Sequence, residues 1–377
     1  MADPIPLIDL QAQRLRLGAT LDEAIAGAVS SGNWVLGPEV AELEKQLAEF
    51  AGVKHVVACA NGTDALLLIL RSWGIGPGDA VFVPAFTFVA TAEVVSLVGA
   101  TPVFVDVLEN SFNIDCESLK AAIAMVKADG TYTPRAIIAV DLFGQPADYH
   151  RLEPIAEAEK LLLLCDTAQG FGAALDNRRT GSIGHAAATS FFPSKPLGCY
   201  GDGGACFTGD DELAKQLRSL RMHGQGTERY EHIHIGLNSR LDTIQAAILI
   251  EKLKIFPQEI EARQRIADRY HEAFNGIDGI QAPGFIDGAS PVWAQYTLRV
   301  ANRTKLQEDL MGEGIASAVY YSHPLNRQPA YVQFPSVPTP ASDALSKTVL
   351  SLPMHPYLDE ETQQCIAAAV IESVHSA

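Results

Sequence analysis

Lys195 is the residue whose surroundings most strongly indicate covalent chemistry. It lies within residues 189–204, between apolar residues and a glycine-rich turn. Partial burial there would disfavour the ammonium and lower the pKa of the lysine, as a lysine that forms a Schiff base requires. Ser190, upstream in the same stretch, offers a hydroxyl. Because a loop lysine beside glycines is by itself usually structural, the interpretation depends on the neighbouring motifs.

Asp166 belongs to the first of these motifs. It follows the leucines at 161–164, which predict a fully buried strand of a parallel sheet. Ligands of open α/β sheets bind at the carboxyl ends of such strands. A carboxylate at that place can pair with a pyridinium nitrogen, and Gln169 can reach a neighbouring ring oxygen. A helix cap or a loop carboxylate is the alternative interpretation of Asp166.

A possible anion site follows the apolar run 55–60. The next residues, 61–66, begin an amphipathic stretch that extends to Arg71. Free backbone N–H groups at the start of a helix bind anions, so Gly62 and Thr63 are candidates to hold a phosphate. An ordinary capped helix is the alternative.

Together, these motifs resemble the DegT-type nucleotide-sugar aminotransferases, which use pyridoxal 5'-phosphate (PLP). The likeness consists of a strand-end Asp-x-x-Gln, a Ser-x-x-x-x-Lys-x-x-Gly run with a Gly-Asp-Gly-Gly turn, and residues 61–65 and 84–88. It extends from residue 5 to residue 356. The resemblance implies an α/β protein with the aspartate-aminotransferase fold (PLP fold type I), in which a large, mostly parallel-sheet domain precedes a smaller C-terminal α+β domain.

The resemblance also implies catalytic roles. Lys195 would hold PLP as a Schiff base and, once displaced by substrate, move a proton between two carbons. Asp166 would keep the ring nitrogen of PLP protonated. Phe88 would stack on the ring, and Gln169 would lie beside its phenolic oxygen.

For the phosphate of PLP, the resemblance implicates Gly62, Thr63 and Ser190. It adds Asn238, which would reach in from the other subunit of a homodimer with shared active sites. From the residues alone, Asn238 is equally well interpreted as a helix cap.

Substrate-binding candidates lie further along the chain. Arg240 carries a fork of donors that suits a carboxylate or a phosphate. Tyr320 and Tyr321 lie in a predicted loop over the site, and His223 and Arg229 are further candidates. A solvated surface arginine and an ordinary loop histidine are the alternatives.

Within the family, the chain is most similar to aminotransferases that act at C3 of UDP-2-acetamido-2-deoxy-3-keto-glucuronate. This likeness implies a UDP-keto-sugar substrate, glutamate as the amino donor and a role in the biosynthesis of bacterial surface polysaccharide such as lipopolysaccharide. One departure concerns the sugar contacts: the subgroup typically has His-Tyr-Pro where this chain has Tyr320, Tyr321 and Ser322.

Other functions remain as alternatives. The nearest are an aminotransferase for a dTDP- or UDP-4-keto-hexose and a PLP-dependent sugar dehydratase, although dehydratases of this fold often carry His at the position of Lys195. A dinucleotide-binding oxidoreductase would need G-x-G-x-x-G after the first strand, and residues 61–65 do not match it. A silent regulator is disfavoured by the intact set of Lys195, Asp166 and Gln169.

Composition restricts the classes of partner. The chain has 377 residues, a formal net charge of −17 and 47% hydrophobic residues. This charge argues against a nucleic-acid surface, which needs clustered Lys and Arg. The six cysteines are scattered without a metal-binding spacing, so no metal site is predicted. Without a basic signal sequence or a long apolar run, we expect no membrane association and a cytoplasmic location.

Alternating apolar patterns predict successive βα units. We expect an N-terminal arm over 1–18, a large PLP-binding domain over 19–256 and a small C-terminal domain over 257–377. The predicted strands are 55–60, 80–83, 102–105, 136–140, 161–165, 187–192, 204–208, 293–300 and 315–320. The predicted helices are 19–30, 38–50, 63–72, 88–98, 117–127, 148–159, a long helical region 241–274 broken near Pro257, and 304–313. Residues 336–342 are expected to form a loop.

Overall fold

The computed structural model describes residues 4–228 and 230–376. The α-helices of this part of the chain are α1 (Leu10–Ser31), α2 (Pro38–Ala51), α3 (Gly62–Ser72), α4 (Ala90–Leu97), α5 (Cys116–Asp129), α6 (Tyr149–Glu159), α7 (Asp211–Leu220), α8 (Thr243–Phe274), α9 (Arg303–Gly312), α10 (Pro340–Thr348) and α11 (Glu360–His375). Its β-strands are β1 (His55–Cys59), β2 (Asp79–Pro84), β3 (Thr101–Val105), β4 (Thr133–Val140), β5 (Leu162–Asp166), β6 (Ala174–Leu175), β7 (Arg178–Arg179), β8 (Ala186–Ser190), β9 (Gly204–Thr208), β10 (Ile280–Gln281), β11 (Ala289–Ser290), β12 (Tyr296–Val300) and β13 (Val349–Leu352).

A seven-stranded sheet in the order β1-β9-β8-β5-β4-β2-β3 positions the site. Strand β9 is antiparallel to β1 and β8, and the other neighbouring strands are parallel. The leucines of β5 lie in the middle of this sheet, where both faces of a strand are covered and an uninterrupted apolar run is favoured. The predicted α/β class with a mostly parallel sheet is therefore confirmed.

Helices cover both faces of the sheet. The apolar residues of α2, α5, α6 and the first half of α8 form one core with the strands. Those of α3, α4 and α7 form a second core on the opposite face. Both cores are needed because the strands of a parallel sheet are apolar on both faces.

The C-terminal part of the chain forms a separate core. Strands β10, β12 and β13 make an antiparallel sheet. This sheet packs with α9, α11 and the second half of α8. A small additional sheet joins β11, β6 and β7. The division into domains at residue 256 stays a prediction.

Helix α8 is continuous where we expected a break. Pro257 lies inside it, although a proline removes one helical hydrogen bond and costs about 3 kcal/mol. The first half of the helix contributes to the core under the central sheet, and the second half contributes to the C-terminal core. Burial on both sides of Pro257 offsets its cost, so the expected break is wrong.

The predicted arm over 1–18 contains a helical segment, whereas the predicted helix 19–30 agrees with the part of α1 that follows Gly18. The side chain of Asp9 accepts a hydrogen bond from the amide of Ala12 at 2.8 Å, and α1 begins at Leu10 rather than at residue 19. Gly18 departs from helical geometry (φ 54°, ψ −139°) inside it. That interruption hides the helical periodicity on which the sequence prediction relied. Residues 1–3 of the predicted arm lie outside the described residues.

Two C-terminal predictions are also wrong. The expected strand 315–320 makes only isolated bridges, from Ile315 to Ile5 and from Ala318 to Ser351. The expected loop 336–342 includes the beginning of α10.

In the part of the chain that the structure describes, no helix is long and apolar enough to cross a membrane.

Candidate active site

A cavity of about 740 Å³ lies where the carboxyl ends of β5 and β8 meet the beginning of α3. Such cavities at strand ends are the usual ligand sites of α/β sheets. Most of the residues predicted from the sequence line it: Gly62, Thr63, Phe88, Asp166, Gln169, Ser190, Lys195, Tyr320 and Tyr321.

Asp166 is the last residue of β5 and is almost completely buried. Its Oδ2 accepts a hydrogen bond from the hydroxyl of Thr91 at 3.0 Å, and its Oδ1 accepts one from the amide of Ala168 at 3.2 Å. Burial raises the pKa of Asp166, whereas these donors and the charge of Lys195 oppose that shift. The carboxylate is thus fixed in orientation at the cavity wall.

Lys195 lies in a tight turn after β8. Its amide donates to the carbonyl of Phe192 at 2.8 Å, and the amide of Cys199 donates to the carbonyl of Phe191 at 2.7 Å. A Cβ atom on Gly198 would lie 2.6 Å from the carbonyl oxygens of Phe192 and Pro193, so only glycine fits there. Burial lowers the pKa of Lys195, and the charge of Asp166 opposes that shift. A lowered pKa leaves more of the neutral amine that attacks carbonyls.

The beginning of α3 has free N–H groups at the position where the sequence predicts an anion site. Asn61 caps the helix by accepting from the amide of Asp64 at 2.8 Å, and the N–H groups of the first turn, at Gly62 and Thr63, have no acceptor within the helix. A Cβ atom on Gly62 would lie 2.6 Å from the Cβ of Ser190. This close approach brings the hydroxyl-bearing Ser190 to the helix N-terminus, which suits a phosphate.

The side chains of Gln169, Phe88 and Tyr321 complete the cavity wall. The side chain of Gln169 accepts from the amide of Phe143 at 2.7 Å and donates to the hydroxyl of Tyr321 at 3.1 Å. The ring centroids of Phe88 and Tyr321 are 6.2 Å apart. Phe88 is 54% exposed, so its ring is available to a planar ligand in the cavity.

Asn238, Arg240 and His223 do not line the cavity of their own chain. Asn238 forms an isolated bridge with Met222, and the backbone amide of His223 donates to the carbonyl of Leu237 at 2.8 Å. Their segment therefore packs beside α7 rather than over the site. The predicted substrate residue Arg229 lies outside the described residues.

Two polar residues that act on the site were not predicted from the sequence, and of these only Gln295 lines the cavity. Thr91 orients Asp166 from α4, and only the fold brings these residues together. Gln295 lines the cavity with a buried Oε1 that has no hydrogen-bond partner among the described residues. The backbone amide of Gln295 donates to the carbonyl of Phe143. A single glutamine before a strand gives no signal in the sequence that could identify it as a site residue.

These groups suit PLP. A carboxylate for the ring nitrogen, a lysine of lowered pKa, an exposed aromatic ring and a helix N-terminus for the phosphate line one cavity. Within residues 4–228 and 230–376, no cluster of three or more His, Cys, Asp or Glu side chains could hold a metal ion.

The chain is similar in sequence to known aminotransferases. The profile of the DegT/DnrJ/EryC1/StrS aminotransferase family matches residues 16–371. The chain is 47% identical to a UDP-2-acetamido-2-deoxy-3-oxo-D-glucuronate aminotransferase of Pseudomonas aeruginosa, over 97% of this chain and 99% of that protein. It is 40% identical to a UDP-N-acetyl-3-dehydro-α-D-glucosamine 3-aminotransferase of Acidithiobacillus ferrooxidans, over 98% of each.

A solved structure agrees with these relatives. The crystal structure of a DegT/DnrJ/EryC1/StrS aminotransferase from Brucella abortus superposes with a TM-score of 0.96 at 53% identity, over 98% of this chain and 99% of that one. This similarity confirms the predicted PLP fold type I. The chain belongs to the DegT/DnrJ/EryC1/StrS family, and it is a PLP-dependent nucleotide-sugar aminotransferase.

Proposed function

We propose that the chain transfers an amino group from glutamate to C3 of a UDP-2-acetamido-2-deoxy-3-keto-hexuronate, in the biosynthesis of a bacterial surface polysaccharide such as lipopolysaccharide. The observation that carries the chemistry is the convergence of Lys195, Asp166 and the α3 N-terminus on one cavity. The observation that supports the sugar is the 47% identity to the Pseudomonas aeruginosa enzyme. We also propose a cytoplasmic location, where such precursors are available.

We assign a separate role in amino transfer to each group of cavity residues. PLP, when bound, supplies an electron sink for a carbanion. Asp166 holds the proton on the ring nitrogen, because a buried carboxylate stabilises a neighbouring positive charge. Lys195 would hold the cofactor covalently, and its amine would carry the proton that moves between carbons. Gly62, Thr63 and Ser190 would bind the phosphate, and Phe88 and Gln169 would contact the ring.

The charge of the cavity supports a homodimer. Among the described residues that line it, Lys195 is the only cation, whereas Asp64, Asp166 and Asp202 are acids. Glutamate and a UDP-hexuronate both carry carboxylates, and the sugar nucleotide adds phosphates. Further cations must come from outside this lining, and we assign that role to Arg240 of a second copy, with Asn238 contributing to the phosphate site.

An exposed apolar surface near the site offers a place for this second copy. Trp34 (58% exposed), Val35 (47%), Phe192 (50%) and Tyr200 (38%) are large apolar residues on the surface. The carbonyl of Trp34 accepts from the amide of Thr243, and the amide of Tyr200 donates to the side chain of Gln245, so both lie against the beginning of α8. Large exposed apolar residues around one helix end, as Trp34 and Tyr200 are here, are typical of protein interfaces.

A neutral sugar is the second candidate. The Acidithiobacillus ferrooxidans relative is named for UDP-N-acetyl-3-dehydro-α-D-glucosamine, whose sugar carries no carboxylate. In this chain Tyr320, rather than the His typical of the glucuronate subgroup, lines the cavity. A tyrosine hydroxyl can donate to a carboxylate or to a neutral hydroxymethyl group. His223 and Arg229 remain further candidates for binding the substrate.

A substrate panel tests the proposal. The value of kcat/KM is measured for the UDP-3-keto-uronate, for UDP-3-keto-N-acetylglucosamine, whose sugar lacks the carboxylate, and for a dTDP-4-keto-6-deoxyhexose, with glutamate as donor. We expect about a tenfold to hundredfold preference for the uronate, because a charge-assisted hydrogen bond contributes about 1.5 to 3 kcal/mol. Equal values of kcat/KM for the two 3-keto sugars would refute the carboxylate argument, a preference for the sugar without a carboxylate would favour the second candidate, and a preference for the 4-keto sugar would refute transfer at C3.

A further inference from the structure

Lys252 is a lysine buried beneath the Lys195 turn. It lies on α8 and is only 1% exposed. Its Nζ donates to the carbonyl oxygen of Gly198 at 2.6 Å and lies 4.6 Å from the ring centroid of Tyr200. Both contacts are with the chain segment that follows Lys195.

This segment is mechanically linked to Lys195. Gly198 packs directly on the carbonyls of Phe192 and Pro193, and the Lys195 amide donates to the first of these carbonyls. The base of the turn is closed by the hydrogen bond from the Cys199 amide to the Phe191 carbonyl. A displacement of Gly198 therefore moves the backbone of Lys195, because the close contacts leave no space to absorb it.

A second side chain on α8 holds the same segment. Gln245 lies two helical turns before Lys252, which places both on one face of the helix. Its Oε1 accepts from the amide of Tyr200 at 2.9 Å, and its Nε2 donates to the carbonyl of the same residue at 3.4 Å. A Cβ atom on Gly201 would lie 3.0 Å from this Nε2, so the segment approaches α8 closely.

The energetics indicate that Lys252 does more than fill space. Burial lowers the pKa of Lys252 to about 8, although the charges of Glu259 and Cys199 oppose the shift. An apolar side chain of the same length would occupy this position without the cost of burying an ammonium. What only the ammonium provides is a directional hydrogen bond to Gly198 and a cation–π contact with Tyr200.

We propose that Lys252 is a positioning residue that fixes the turn bearing Lys195, through the carbonyl of Gly198 and the ring of Tyr200. This inference rests on the proposed role of Lys195 as the residue that binds PLP. It assigns no contact with substrate or cofactor to Lys252 itself.

The test compares Lys252→Met with Lys254→Met in the full-length protein. Lys254 is on the same helix, but its side chain is 59% exposed and pairs with Glu251. For each variant, the Kd for PLP, the melting temperature, and kcat and KM for the keto-sugar at saturating PLP are measured. For Lys252→Met we expect about tenfold weaker PLP binding and about tenfold lower kcat, because a charge-assisted hydrogen bond is lost. KM should be unchanged because the cavity lining is intact, and Lys254→Met should behave as wild type.

Folded Lys252→Met protein whose PLP affinity and kcat both stay within about twofold of wild type would overturn the inference, whether or not its melting temperature falls. If Lys252→Met does not fold, Tyr200→Leu and Tyr200→Phe decide. Loss of PLP affinity in Tyr200→Leu but not in Tyr200→Phe, with both variants shown by native mass spectrometry to have the oligomeric state of wild type, supports the inference, and wild-type affinity in both overturns it. Borohydride reduction of the wild-type holoenzyme, followed by peptide mapping, separates the two claims. PLP trapped on another lysine would refute the proposed role of Lys195 and with it the premise for Lys252.

Discussion

Asp141 and Asp166 are buried carboxyl groups at the ends of neighbouring strands, yet their surroundings differ. Asp166 faces the cavity and has a donor on each oxygen. Asp141 accepts from the hydroxyl of Tyr149 at 2.7 Å and the amide of Ala147 at 2.9 Å on Oδ1. Its Oδ2 has no partner among the residues that the structure describes, and burial raises the pKa of Asp141 to about 7. We infer that Asp166 serves catalysis as an anion and that Asp141 holds a proton near neutral pH.

Asp166→Asn should preserve folding and most of the PLP affinity, because the change is nearly isosteric. The amide cannot hold the proton on the ring nitrogen, so kcat/KM should fall by at least about a hundredfold. Steady-state kinetics at saturating PLP measure this effect. A variant within about threefold of wild type, which is less than 1 kcal/mol of barrier, would exclude the assigned role.

Asp141→Asn should become more stable relative to wild type as pH rises. A carboxyl group whose folded-state pKa is raised contributes stability below its unfolded-state pKa of about 4, and that contribution is lost as pH rises towards 7. The neutral amide loses nothing over this window. Urea unfolding at pH 5 and pH 8 should show a relative gain of roughly 2 to 3 kcal/mol for Asp141→Asn.

Asp343→Asn is the matched control for that measurement. Arg327 lowers the pKa of Asp343, so this carboxylate stabilises the protein above its unfolded-state pKa and the asparagine variant should show no relative gain at pH 8. A relative stability of Asp141→Asn that does not change between the two pH values would mean that Asp141 is already ionised at pH 5.

At the scale of elements, α10 depends on a partner far away in the sequence. The carboxylate of Asp106, which follows β3, accepts from the amides of Ala341 and Ser342, both at 2.9 Å, and from the Ser342 hydroxyl at 2.6 Å. It therefore satisfies the N-terminus of α10 across the fold. This cap cannot be recognised from local sequence, which explains why residues 336–342 were predicted as a loop.

Asp106→Ala should lower the free energy of unfolding by about 2 to 3 kcal/mol, because it leaves buried donors without an acceptor. Urea denaturation measures the loss. The carboxylate of Asp359 caps α11 locally and on the surface, where it accepts from the amide of Thr362. Asp359→Ala should therefore lower the free energy of unfolding by only about 1 kcal/mol. Equal losses of unfolding free energy in the two variants would show that the long-range cap stabilises the protein no more than a local cap does.

Local signals determined how much could be predicted. Apolar runs identify β5 and its neighbours because both faces of those strands are buried, and the glycines at 62 and 198 mark backbone approaches that only glycine permits. The contact from Thr91 to Asp166 and the contact from Lys252 to Gly198 join distant segments, so no spacing in the sequence indicates them. Pro257 misled the prediction because tertiary burial outweighs its local cost.

At the scale of the whole molecule, the net charge of −17 and the anionic substrate require cations concentrated at the site. A single chain provides only Lys195 among the described cavity residues. The proposed two-fold dimer resolves this by adding Arg240 and Asn238 of one protomer to the cavity of the other.

Mixing inactive Lys195→Ala protein with inactive Asn238→Ala/Arg240→Ala protein should restore activity. In a mixed dimer, one site receives both defects and the other receives neither, so random exchange should restore about a quarter of the wild-type activity. Exchange is verified by native mass spectrometry, and each variant alone is the control. Verified mixed dimers without activity would contradict a shared site.

Helix α8 has a mechanical consequence for the cavity. With 32 residues it is about 48 Å long, and it belongs to both the core under the central sheet and the C-terminal core. The two cores therefore cannot rotate past each other as bodies joined by a flexible hinge. Any such rotation must bend α8, and the bend costs least at Pro257, where a helical hydrogen bond is already missing. Lys252 lies just before that point, so the Lys195 turn stays with the sheet-bearing half when the helix bends.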